Sequence, residues 1–385
     1  MEVIMTKIYL IRHAEAEGNL YRRIHGHYNG DVTPKGHKQI NLLAERFREI
    51  PIDALYASDL QRTQKTAGAI LKYHELPLNI DPRLKEVDMG VWEDTPWGNV
   101  AYDDPEQMVY FSNDPAKWDV ERGEHFETLK SRITGVVTEL AEKHEGQTIA
   151  LFSHGMAIRS FLSGLMGVSS ENICEILHGD NTCVASLTYS GGKLDIEYYN
   201  DNSHLPPEMS TFAGQQWWKK DIREDFSNLR IIPFNIKADA ELFVNSYRDS
   251  WQSAHGTLTG FSEEIYLRDA EKSVKKNSLS LMKACYGEEF AGIIELDTSH
   301  ASDKGAGWIS LIYLASDYRG HNMGIQLVGH AVSVYRALGR RSLQLHVSED
   351  NKAALAFYEK FGFKHIGTED GSLCPLRLME MKLQA

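Results

Sequence analysis

Apolar positions in the first half of the chain fall into short runs separated by stretches with helical spacing. KIYLI, DALYA and TIALF have strand length, whereas HKQINLLAERFREI, RTQKTAGAILKYH and MAIRSFLSGLM carry apolar residues three and four apart. Strands alternating with helices predict an α/β unit with a mostly parallel sheet and helices on both faces. CVASLTYSGGKLDIEYYN then reads as a hairpin turning at Gly191 and Gly192. Residues 86–127 break the rhythm with Pro96, Pro105, Pro115 and several tryptophans, which predicts a long, lid-like excursion off the sheet. From Leu229 the pattern restarts with closely spaced strand runs and interleaved helices, so a second, mixed α/β unit is expected. Pro206, Pro207 and Gly214 mark the change. The expected division is 1–205, a linker or docking helix at 206–228 that includes Trp217 and Trp218, and 229–385.

Composition narrows the function classes. The 385 residues hold 41 Lys+Arg and 54 Asp+Glu, a net charge of −13, with 42% hydrophobic residues. That balance is globular, and it argues against nonspecific binding to nucleic acid or anionic membranes while permitting a local basic pocket. Cys174, Cys183, Cys285 and Cys374 form no C-x-x-C pair, so neither a disulfide framework nor a cysteine zinc site is expected and a cytoplasmic location fits. The opening segment lacks signal-peptide features, and no apolar run reaches spanning length. The acidity is local. Residues 86–127 carry 12 carboxylates against Lys117 and Arg122, while the part from Leu229 onward holds 18 basic and 19 acidic residues.

Candidate chemistry sits at strand ends. Arg12 and His13 follow KIYLI, Ser153, His154 and Gly155 follow TIALF, and Arg62 lies just beyond DALYASDL. In parallel sheets the carboxyl ends of strands carry the site. Two guanidiniums and two imidazoles converging there call for an anion, and Glu86 can supply a proton to a leaving alkoxide. The inferred reaction is metal-free phosphoryl transfer through a phosphohistidine.

Over about residues 5–200 the chain resembles the histidine phosphatase, or phosphoglycerate mutase-like, superfamily. The likeness rests on Arg12, His13, Glu15 and Asn19; on Ser58, Leu60, Arg62, Thr66 and Ala67; on Leu84, Glu86, Gly90, Trp92 and Glu93; and on Ser153, His154 and Gly155. It implies that His13 is phosphorylated, that Arg12, Arg62 and His154 cradle the phosphoryl group, and that Glu86 is acid and then base. Asn19 is expected at a phosphate oxygen. His25, Gly26 and His27 stand where relatives commonly read Gln-Gly-Trp, and Gly123, Glu124 and His125 where Gly-Glu-Ser is common, so His25, Glu124 and His125 are candidate substrate-pocket residues. These departures favour a phosphatase over a mutase.

In the second half, ISLIYLASDYRGHNMGIQLVGHAVSVYRALG places a strand, a glycine-bearing turn and a helix in succession, and NKAALAFYEKFGF follows. Such a turn aims backbone N–H groups at a pyrophosphate. Residues 229–385 resemble the GNAT N-acetyltransferases, whose loop maps onto Arg319, Gly320, His321, Asn322, Met323 and Gly324, with Asn351, Ala354, Tyr358, Gly362 and Phe363 beyond it. The resemblance implies acetyl-CoA as cofactor, pairing of its pantetheine arm with the strand near Leu314 and Ala315, and Tyr358 as acid for the departing thiolate. Asn322 replaces a consensus glycine, a change suited to left-handed backbone. Glu295 is a candidate base for the acceptor amine.

The expected protein is therefore a bifunctional enzyme acting on a small phosphomonoester and an amine, and linkage of the two units on one chain points to a single metabolite that carries both groups. Two alternatives are a mutase-type phosphoryl transfer and a GNAT half that only holds acyl-CoA in a regulatory role. The acidic excursion beside a cationic pocket predicts exclusion of polyanions in favour of monoesters bearing an amine. Oligomeric state is not legible.

Overall fold

The computed structural model describes residues 4–215, 228–371 and 373–383, which divide into two compact units. The first comprises residues 4–95 and 103–215; the second comprises 228–383 together with 96–102. Trp217 and Trp218 lie outside the described residues.

In chain order the first unit contains β1 (Thr6–Arg12), α1 (Glu17–Tyr21), α2 (Pro34–Phe47), β2 (Ala54–Ala57), α3 (Gln61–Leu71) and β3 (Leu78–Ile80). The excursion carries α4 (Trp97–Asp103), of which residues 97–102 group with the second unit, and α5 (Pro105–Asn113) before α6 (Phe126–Lys143), β4 (Thr148–Ser153), α7 (Gly155–Met166), β5 (Val184–Ser190) and β6 (Lys193–Asp201). The sheet order is β3-β2-β4-β1-β5-β6, parallel from β3 through β1 and antiparallel across β5 and β6. β1 and β4 lie inside this sheet, which is why both read as nearly unbroken apolar runs. One face packs Leu43, Phe47, Leu55, Ile70 and Phe152 into the core beneath α2 and α3. Thr33 caps α2 by accepting the Gly36 N–H at 3.0 Å, with Pro34 in the first turn. The β5–β6 hairpin turns at Gly191 (φ +56°) and Gly192 (φ +83°), a geometry that disfavours any Cβ. In the excursion Trp92, Phe111 and Trp118 meet edge to face at 5.3 to 6.1 Å and give the segment its own apolar centre. Residues 206–215, expected as linker or docking segment, are held to this unit: Thr211 bonds Glu15 and Ser210 bonds Asp180.

The second unit contains β7 (Arg230–Pro233), α8 (Ala240–His255), α9 (Glu263–Lys276), β8 (Leu281–Tyr286), β9 (Glu289–Asp297), β10 (Ala306–Leu314), α10 (Gly324–Ala337), β11 (Ser342–Ser348), α11 (Lys352–Lys360), β12 (Lys364–Asp370) and β13 (Pro375–Lys382). Its sheet runs β12-β13-β11-β10-β9-β8-β7. Among the described strands, β10 and β11 form its one parallel pair, and they pair only from Ala306–Ser342 to Trp308–Gln344. Beyond that point β10 keeps β9 alone as partner, with a bulge between Ile309 and Leu311. The carboxyl ends of two central strands are thus splayed, leaving backbone groups of β10 without a neighbouring strand. No described helix in either unit is long and apolar enough to cross a membrane.

Candidate active sites

In the first unit the register itself assembles the site. Arg12 and Ser153 are partners on adjacent parallel strands, so His13 and His154 leave the sheet side by side with ring centroids 5.2 Å apart. β2 flanks β4, bringing Ser58 within 2.8 Å of His154 Nε2. Arg62, in the first turn of α3, approaches His154 from the other side.

The hydrogen bonds select the tautomers. His13 Nδ1 lies 2.7 Å from the Ala14 carbonyl, which can only accept, so Nδ1 carries the proton and Nε2 keeps its lone pair. His154 Nδ1 accepts from Arg62 Nε–H at 3.2 Å, which leaves its Nε2–H for Ser58. Burial pushes both imidazoles well below the usual histidine range, and the Arg62 and Arg12 charges push the same way. Both rings are therefore neutral near pH 7. Arg62, fully enclosed, is lowered by burial to about 10 and stays cationic.

Arg12 donates through Nη1 to the Gly179 carbonyl and lies over the Phe212 ring at 5.6 Å. Its buried Nε–H has no hydrogen-bond partner among the described residues, an orphaned donor of the kind an anion satisfies. Beside it lies a small recess bordered by Ile158, Leu162 and Leu177. Glu86 reaches the amino end of α7, accepting from the Met156 and Ala157 N–H groups at 3.0 and 2.9 Å. Those bonds fix its carboxyl group next to the residues that follow His154.

Residues 25–28 are clamped from two directions. Arg62 donates to the carbonyls of His25, Gly26 and Tyr28, while Glu93 accepts from the N–H groups of Gly26, His27 and Tyr28 at 2.6 to 3.2 Å. His25 has a buried ring that packs on Tyr28 at 4.5 Å and lies 3.4 Å from Asp94. Burial lowers its pKa, and Asp94 opposes that shift. Asn19 Oδ1 accepts from the Ala16 N–H at 3.1 Å, so that atom closes the turn entering α1. Glu124 binds Arg132 at both oxygens, and Arg132 in turn holds the carbonyls of Arg83, Lys85 and Glu86. His125 is exposed at the start of α6. The site thus brings Arg12, His13, Arg62, Glu86 and His154 together, with Glu124 behind the Glu86 segment and His125 outside.

One contributor, Asn181, and the roles of two others, Ser58 and Glu93, were not read from the sequence. Asn181 donates to the His13 carbonyl at 2.9 Å; Ser58 orients His154; Glu93 supports the loop. Ser58 and Glu93 lay inside matched motifs, but the motifs do not state what their side chains hold. Asn181 lies in an irregular segment before β5 and carries no period or motif.

In the second unit the turn after β10 has Gly320 at φ +83° and Asn322 at φ +58°, the left-handed backbone for which asparagine substitutes tolerably for glycine. Gly324 opens α10. Leu314 and Ala315 bond to β9 residues on one side, through the Leu314–Gly292 pairing and the Ala315 N–H to Ala291 at 2.9 Å. The splayed side of β10 stays available for an extended ligand. These features fit acetyl-CoA: a free strand edge for the pantetheine amides and a left-handed turn ahead of a helix for its pyrophosphate. Arg319, by contrast, turns its guanidinium to the Leu314 carbonyl at 2.7 Å and to Asp249 at 2.8 Å. His321 and Met323 complete the turn, Met323 buried and His321 exposed. Asn351 caps α11 through the Ala354 N–H at 3.0 Å. Tyr358, on α11, packs on Phe363 at 5.3 Å, and burial raises its pKa, so its hydroxyl carries its proton. Glu295 is buried on β9, receives the Tyr247 hydroxyl and is raised by burial to about 7.

The fold and the site of the first unit are matched by the family comparison: the model "Histidine phosphatase superfamily (branch 1)" matches residues 8–202, and the chain belongs to that superfamily. The acetyltransferase (GNAT) family model matches residues 240–363. Among relatives, Phosphoserine phosphatase 1 of Hydrogenobacter thermophilus is 32% identical over 164 residues, 43% of this chain and 78% of that protein. Probable phosphoglycerate mutase GpmB of Enterobacter sp. is 33% identical over 164 residues, 43% of this chain and 76% of its own length. The solved structure of Bacillus stearothermophilus YhfR superposes with a TM-score of 0.50 at 26% identity, covering 52% of this chain and 98% of that one.

Proposed function

We propose that the first unit hydrolyses phosphomonoesters through a phosphohistidine and that the second transfers the acetyl group of acetyl-CoA to an amine. The observation that carries the first reading is the fixed tautomer of His13: a neutral ring with Nδ1–H tied to Ala14 and Nε2 unprotonated, flanked by Arg12 and Arg62. His13 Nε2 attacks phosphorus, the ester P–O bond breaks, and protonated Glu86 gives its proton to the leaving alkoxide. Glu86 then takes a proton from water as the water oxygen attacks phosphorus and the N–P bond breaks, returning His13 and inorganic phosphate. Arg12 and Arg62 offset the charge on the transferring group in a site shielded from water, where fixed donors are most effective.

For acetyl transfer, the open edge of β10 and the turn before α10 would hold acetyl-CoA, which would supply the thioester; Tyr358 would give its hydroxyl proton to the leaving sulfur, and Glu295 would take the proton released by the attacking amine. Hydrolysis of phosphomonoesters that vanishes in His13→Ala, and acetyl transfer to an amine panel that survives it, is the expected result. Retained phosphatase turnover in His13→Ala would refute the first reading. If one metabolite is a substrate for both units, it carries a phosphate ester and an amine.

A further inference from the structure

Residues 206–215 follow the last strand of the first unit and lie beyond residues 8–202, the part that the family model matches. Their regular structure is two short 3₁₀ turns, Pro207–Met209 and Phe212–Gly214, and side chains from elsewhere hold them. Gln39, fully buried, donates to the Met209 carbonyl at 2.8 Å and to the Thr211 hydroxyl at 3.1 Å, and Lys35 reaches the Ser210 carbonyl at 2.7 Å. Asp180 accepts from the Ser210 hydroxyl and the Thr211 N–H, and Gln215 donates to the Asn19 carbonyl at 3.2 Å. Buried polar groups committed in this way fix a segment in one place. These anchors flank Phe212 on both sides and set its ring over the Arg12 guanidinium at 5.6 Å.

The two arginines of the site are restrained differently. Arg62 is held by the carbonyls of His25, Gly26 and Tyr28 and by His154. Among the described residues the Arg12 side chain has the Gly179 carbonyl and the Phe212 ring, and no carboxylate. A carboxylate would hold the guanidinium but offset its charge, whereas an aromatic face attracts the cation and leaves its N–H groups unspent. A Cβ at Gly155 would come within 3.3 Å of Arg12 Nε, so the glycine after His154 keeps that edge clear. We propose that Phe212, carried by the strap 206–215, is a positioning residue for Arg12: its ring holds the guanidinium in place while leaving its charge and its Nε–H for the transferring phosphoryl group. The assignment rests on the reading of this unit as a phosphomonoesterase.

The test is a double-mutant cycle on the full-length protein, read as hydrolysis of p-nitrophenyl phosphate. Phe212→Leu keeps an apolar side chain but removes the ring face, and is expected to lower kcat about tenfold, the size of one partly desolvated cation–π contact, with KM within about twofold. Phe212→Tyr and Phe212→Trp, which restore a ring, are expected to recover most of the rate. In an Arg12→Ala background, Phe212→Leu is expected to cost less than about twofold, because a residue acting through Arg12 has nothing left to position. Wild-type kcat in Phe212→Leu, equal losses in the Leu, Tyr and Trp variants, or an undiminished loss on top of Arg12→Ala each overturns the proposal. Absence of phosphatase activity in the unaltered protein overturns instead the phosphomonoesterase reading beneath it, so the two failures are distinguishable.

Discussion

Acidification from pH 7 to pH 5 should destabilise the first unit through two residues that the site keeps neutral. His13 is 6% exposed and His154 not exposed at all, and burial together with Arg62 and Arg12 lowers both pKa values well below 6.5. Once unfolded, each ring takes up a proton near pH 6.5. Below that pH the unfolded chain binds more protons than the folded one. Stability is therefore fully present above about pH 6.5 and is lost as pH falls toward the depressed folded values. A ring that stays neutral in the fold at pH 5 costs about 2 kcal/mol relative to pH 7, so the pair costs about 4 kcal/mol. That is a large part of the stability of a typical domain. Urea unfolding of the full chain at the two pH values measures the loss, and ¹⁵N chemical shifts of the imidazoles report their protonation directly. Imidazolium shifts from both rings at pH 6, or a first unit equally stable at pH 5 and pH 7, would refute the reasoning.

Other perturbations separate chemistry from support. Glu86→Gln should lower kcat by about 10²- to 10⁴-fold toward alkyl phosphates while altering KM little, and less toward an ester whose alcohol leaves without protonation, as steady-state rates on both substrate types will show. Asn181→Ala removes the donor on the His13 carbonyl and should reduce kcat about tenfold with KM retained. Glu93→Ala strips the acceptor from the N–H groups of Gly26, His27, Tyr28 and Met89 and should lower stability by about 2 to 3 kcal/mol, measurable by thermal unfolding. Acetyl transfer should fall away below about pH 7, where Glu295 takes up its proton, and Glu295→Gln should abolish that acid limb.

The alternation of strands and helices was legible because burial on both faces of β1 and β4 demands apolar runs, and the catalytic strand ends followed from it. The grouping of 96–102 was not. There Asn99 bonds the Ile231 N–H and carbonyl, both at 2.8 Å, and a side-chain amide acting as a backbone partner leaves no periodic trace. Residue types at the site were legible, whereas their commitments were not. Nothing local in the sequence distinguishes Glu86, which receives N–H groups of α7, from Glu124, which is consumed by Arg132. Arg319 shows the same limit: its position matched a motif, but its direction depends on Asp249, seventy residues earlier.

The loop at 25–28 is held by Arg62 and Glu93 almost wholly through main-chain atoms, which every amino acid possesses. Its scaffold and its vocabulary are thereby uncoupled. The side chain of His27 is the exception: its Nε2 meets the Glu86 carbonyl at 3.0 Å, so a change there touches the segment of the general acid while leaving the Arg62 bond to His154 in place. A library varied at His27 should therefore keep Arg62 and His154 in register while shifting the Glu86 segment, so its members are expected to differ in how well they protonate the leaving alcohol.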